Sequence, residues 1–137
     1  MTEFPAIAPG LSGTASVTVT EADTALSHRS GDVPVLATPR LVALCEEAAC
    51  RALQDALHPS VTSVGSRVEL DHIAPTAVGG SVTARAEVER TEGRTIVFVV
   101  SAEDSRGAVA SGRVTRVLVD REGFLSKLAQ ARLEERG

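Results

Sequence analysis

At 137 residues, 43% hydrophobic and 23% charged, the chain has the length and composition of a single folded domain with its own core. Fourteen basic against eighteen acidic residues, with no Trp or Tyr and only three Phe, offer neither the basic footprint nor the stacking platform of a nucleic-acid binder. No apolar run reaches the roughly 18 residues that a membrane span needs, and "MTEFPAIAPG" lacks the basic and apolar regions of a signal peptide, so the cytoplasm is the expected compartment.

Residues 14–22, "TASVTVTEA", alternate with Ala15, Val17 and Val19 on one face and predict a strand. Residues 23–37, with "SHRSGDVP", read as a loop or irregular turn. "ATPRLVALCEEAACRALQDALHPS" predicts a long helix, with Thr38 as N-cap, Pro39 at the first helical position and His58-Pro59 as its end. Strands follow over 61–74, 81–91, 94–104 and 108–119, separated by Gly79-Gly80, Glu92-Gly93 and "DSRG". "TIVFVV" is apolar on both faces and belongs to the most central strand, and "REGFLSKLAQARLEERG" predicts a charged amphipathic helix. The order predicts an α+β layer: about five antiparallel strands curling around one long helix, in one domain spanning 1–137.

On the predicted helix, Cys45 and Cys50 stand about 7.5 Å apart along the axis and roughly 140° apart around it, which does not suit a disulfide. Both read as small core residues. Neither they nor the histidines at 28, 58 and 72 form a zinc-ligand pattern, so no metal is expected.

Two polar residues, His72 and Glu46, fall where apolar ones would be ordinary. In the strand over 61–74, Val68, Leu70, His72 and Ala74 share one face, so His72 points the way its aliphatic neighbours do, toward the helix layer. The helix buries an arc of Leu41, Val42, Cys45, Ala48, Ala49, Ala52, Leu53 and Ala56, and Glu46 lies on its shoulder. Glu47 sits in the polar arc with Arg51 four residues on, an ordinary exposed pair. Thr38 stands at the helix start. Two readings fit these residues: a histidine, carboxylate and hydroxyl arranged for nucleophilic or general-base catalysis, or a cap, a satisfied core histidine and an edge glutamate.

"VLATPRLVALCEEAACRAL", "GSRVELDHIAPTAVGGSVTARAEV" and "VERTEGRTIVFVVSAED" resemble the fluoroacetyl-CoA thioesterase family of hot-dog proteins, over about residues 11–128. The resemblance implies a hot-dog fold, a homodimer with its sheets joined side by side, and hydrolysis of an acyl-CoA, whose CoA half is substrate and not a bound cofactor. It places the family's catalytic threonine on Thr38, its glutamate on Glu46 and its histidine on His72. The glycine whose N–H faces the thioester carbonyl falls on Gly65, a position that strand periodicity alone reads as a bulge or irregularity. The loop "HRSGDVPVLAT" departs from the fluoroacetyl-specific member, which carries phenylalanines there, so fluoroacetyl preference is not implied.

Two other functions share the fold. A non-catalytic acyl-CoA-binding sensor would not need all of Thr38, Glu46 and His72. An enoyl-CoA hydratase pairs an aspartate with a histidine, and although Asp71 precedes His72, alternation sends the two to opposite faces.

Overall fold

The computed structural model describes residues 3–136. Five strands, β1 (Ser12–Thr18), β2 (Val61–His72), β3 (Ser81–Glu92), β4 (Thr95–Asp104) and β5 (Gly107–Asp120), form one sheet in the order β1-β3-β4-β5-β2, every neighbour antiparallel. The strand containing "TIVFVV", β4, is the middle of the five, as its two apolar faces predict. β1 and β2 are the edges.

The sheet curves around helix α2 (Thr38–Leu53), and alternation decides which side chains meet it. Val82, Ala84, Ala86 and Val88 of β3 are buried between the exposed Thr83, Arg85 and Glu87. The helix turns Leu41, Cys45, Ala48, Ala49, Ala52 and Leu53 into the core, together with Leu44, which lies outside the predicted arc. Small residues set how close the layers come. A Cβ at Gly13 would stand 2.6 Å from the Ala48 carbonyl oxygen, so β1 lies directly against the helix backbone.

Three expectations about α2 need correction. Ala37, not Thr38, is the N-cap, and Thr38 opens the helix itself, its hydroxyl released from any cap bond. The helix ends at Leu53, short of His58-Pro59, because Gln54 and Ala56 donate to the carbonyls three residues back, at 3.3 and 3.0 Å, and wind the end into turns. Cys45 is buried as predicted, but Cys50 is exposed, on a surface cleft that it shares with Thr62 and Ser63 of β2.

The first strand stops at Thr18, short of the predicted 22, and a 3₁₀ turn (Glu21–Asp23) leads into the single-turn helix α1 (Ala25–His28) inside the predicted loop, capped by the Thr24 hydroxyl. An Arg40–Asp23 ion pair at 2.9 Å ties this segment to the start of α2. Helix α3 (Arg121–Arg136) follows β5 with no buried residue.

Candidate active site

His72 closes β2 at the point where the chain leaves the sheet, and Thr38 stands in the first turn of α2. The Thr38 Oγ1 and His72 Nδ1 atoms are 2.8 Å apart. Because Thr38 is not spent on capping its helix, the hydroxyl is available to the imidazole. The other ring nitrogen, Nε2, is buried without a hydrogen-bond partner among the described residues. Burial holds the ring below its ordinary pKa of 6.5, with a backbone group of Ala74 acting in the opposite sense, so the neutral imidazole is favoured. Its surroundings differ from the expected core: Leu70 is only partly buried and Val68 is 36% exposed. The ring borders a groove of about 360 Å³ whose lining includes Ser30, Val33, Val35, Thr38 and Ile73. Asp71 is exposed.

Glu46 stands two turns further along α2 and meets a different part of the sheet. Its Oε2 accepts from Arg116 Nη1 at 3.1 Å. Arg116 donates from Nε to Ser63 Oγ at 2.8 Å and from Nη2 to the Ser63 carbonyl at 3.0 Å, which fixes the guanidinium plane. Gly65 lies under the carboxylate: a Cβ there would stand 2.5 Å from Glu46 Oε2. The β2–β5 register shifts between Gly65 and Arg67, the irregularity that the glycine predicts. Glu47 forms the expected exposed pair with Arg51 at 3.0 Å. Sitting beside Glu46 has one further electrostatic effect. Burial first, and the Glu46 charge second, push the Cys45 thiol up to about 11.

The four sequence-chosen residues therefore gather as two pairs, Thr38 with His72 and Glu46 with Gly65. No hydrogen bond or ion pair joins Glu46 to Thr38 or His72 among the described residues. Thr38 and Glu46 are eight positions apart on the helix, about 12 Å along the axis. Sequence reasoning missed Arg116, which is 8% exposed. The signal was present: in β5 it alternates with Val114 and Leu118 on the buried face, where an arginine needs a partner.

Comparison with known proteins bears on this arrangement. Residues 19–122 match the family profile described as fluoroacetyl-CoA-specific thioesterase. The fluoroacetyl-CoA thioesterase of Streptantibioticus cattleyicolor is 36% identical over 96 residues, 70% of this chain and 69% of that protein. A solved structure of a fluoroacetyl-CoA thioesterase superposes with a TM-score of 0.84 at 30% identity, covering 91% of this chain and 97% of the other. A Thermus thermophilus thioesterase superfamily member superposes with a TM-score of 0.84 at 28% identity over 96% of each chain. A hot-dog-like protein from Thermanaerovibrio acidaminovorans gives 0.77 at 29% identity over 93% of this chain and 91% of its own. With the sheet wrapped on α2 and a profile match across most of its length, the chain belongs to the fluoroacetyl-CoA-specific thioesterase family of hot-dog proteins.

Proposed function

We infer that the protein is an acyl-CoA thioesterase whose complete active site is built by two copies of the chain, with Thr38 and His72 from one and Glu46, Gly65 and Arg116 from the other. Family membership supports the activity. The observation that carries the site is the Thr38–His72 contact of 2.8 Å on an open groove, with the remaining imidazole nitrogen buried and unpartnered.

The separation of the two pairs supports the shared site. β2 is an edge strand, exposed without interruption from Gly65 to Glu69. An edge of that kind is a template for another strand. If two copies of β2 pair antiparallel about the midpoint between Val68 and Glu69, Gly65 of one chain comes opposite His72 of the partner subunit. Each seam then holds two complete sites.

In such a site Glu46 takes a proton from water as the water oxygen bonds to the thioester carbon. Arg116 engages Oε2 and leaves Oε1 for that proton. The carbonyl oxygen becomes an oxyanion, stabilised by the Gly65 N–H. As the tetrahedral carbon collapses, the C–S bond breaks, and the proton held by Glu46 passes through His72, which Thr38 orients, to the thiolate. The products are a free acid and CoA.

A thiol-release assay over a panel of acyl-CoAs tests the activity, and co-expression of two dead variants tests the shared site. Glu46→Gln and His72→Ala chains, each inactive alone, should recover activity when mixed, because one site of each heterodimer then carries neither change. Absence of recovery in a proven heterodimer would place the whole site within one chain. A stable monomer in sedimentation would also defeat the shared-site reading.

A further inference from the structure

We propose that Arg106, in the turn between β4 and β5, binds a phosphate of the CoA nucleotide; this rests on the thioesterase reading and adds to it the position of the substrate's distal half. The groove beside Thr38 and His72 runs along Ile73, Ala74 and Pro75. Ala74 and Pro75 also line a second cavity, of about 240 Å³, completed by Asp104, Arg106 and Ala108. The two spaces thus share a wall, and they lead away from the reacting end. From His72 to Pro75 is three residues of chain, at most about 10 Å.

Arg106 is exposed, and its guanidinium makes no ion pair among the described residues. That distinguishes it from Arg40, Arg51, Arg67, Arg85, Arg90 and Arg113, each held by a carboxylate. Asp104, two residues back, feels the Arg106 charge, but both of its carboxylate oxygens have other hydrogen-bond partners. One Asp104 oxygen accepts from the Thr76 hydroxyl at 2.8 Å and the other from the Arg106 backbone N–H at 2.8 Å. Thr76 is 3% exposed, so this bond anchors the turn to the body of the protein. The carboxylate oxygens are engaged in fixing the turn, so the guanidinium attracts Asp104 only through space and keeps its N–H donors for an anion from outside. A chain of net charge −4 needs a local cation to hold a polyanionic substrate, and arginine suits phosphate because it can donate two parallel N–H bonds.

The test compares wild type with Arg106→Ala on three thioesters of one acyl group: acyl-CoA, acyl-dephospho-CoA and acyl-pantetheine. The expected result is a KM for acyl-CoA raised about tenfold in the variant, kcat within about twofold, and no change in either constant for acyl-pantetheine. A KM effect that vanishes on acyl-dephospho-CoA assigns Arg106 to the 3′-phosphate; one that persists assigns it to the diphosphate. Arg132→Ala, which removes a charge from α3, should leave all three substrates unchanged. The proposal is overturned if Arg106→Ala alters acyl-pantetheine equally, if Arg132→Ala matches it, or if KM for acyl-CoA does not move. A wild-type protein that hydrolyses none of the three would instead overturn the thioesterase reading on which the proposal stands.

Discussion

Adding one methyl group at Gly65 tests whether the carboxylate above it is placed for catalysis. In Gly65→Ala the new Cβ would stand 2.5 Å from Glu46 Oε2 and 3.4 Å from Arg116 Nη1. An ordinary contact is about 3.5 Å, so the carboxylate must retreat by about 1 Å. The glutamate is long and a third exposed, and it can make that move at small cost to folding. Weakening a partly solvated ion pair costs up to about 1 kcal/mol, and replacing glycine within a strand returns about 0.5–1 kcal/mol, so the melting temperature should shift by only a few degrees. Catalysis is less forgiving: a displacement of about 1 Å can cost about 100-fold in rate. Thiol release measured on purified protein, with calorimetry on the same sample, reads both quantities. A variant whose kcat/KM stays within about threefold of wild type would refute the role given to the Glu46–Gly65 pair. A loss of activity matched by a collapse in melting temperature would refute the claim that the two can be separated.

The adjacent glutamates offer a sharper contrast. Glu46→Gln should lower turnover by about 10²–10⁴-fold and, by leaving the buried Arg116 without its carboxylate, reduce stability by about 1–2 kcal/mol. Glu47→Gln should stay active and lose no more than about 0.5 kcal/mol, and denaturant titrations with parallel assays will show whether the two differ. Because burial depresses the His72 pKa, its contribution to stability is complete above the ordinary value of 6.5 and is lost as pH falls through the lower folded value. The acid limb of kcat/KM should therefore lie below pH 6.5, and melting temperatures measured across pH should flatten in His72→Asn. Iodoacetamide should label Cys50 quickly and Cys45 only on unfolding, since Cys45 is buried and its thiol is pushed up to about 11, and peptide mass spectrometry reads the two sites separately.

Strand positions were legible because alternation is a local signal, and the central place of β4 followed from its two apolar faces. The position of Glu46 on the shoulder of α2 was legible for the same reason, since a helix turns at a fixed rate. Less could be read where an outcome depends on contacts distant in sequence. The end of α2 at Leu53 reflects a switch to three-residue hydrogen bonds that no breaker residue announces. Thr38 has the identity of a cap, yet its hydroxyl goes to a histidine thirty-four positions away. That Glu46 and His72 engage different partners depends on how the curved sheet crosses the helix, which residue spacing does not encode. Arg116 was the one omission that periodicity could have prevented.

The strand order also fixes when this site can come into being. β2 carries Gly65 and His72, and among the described residues its one partner in the sheet is β5, the latest of the five strands in sequence: Val61 pairs with Asp120 and His72 with Ala110. Arg116, which holds Glu46, also belongs to β5. During synthesis α2, β1, β3 and β4 can begin to associate while β2 has nowhere to dock, and pairings this distant in sequence form slowly. A chain interrupted before Gly107 retains the helix and three adjoining strands, yet leaves every strand-borne residue of the site without its place. Scaffold and proposed site are thus completed at different times, and the proposed site comes last.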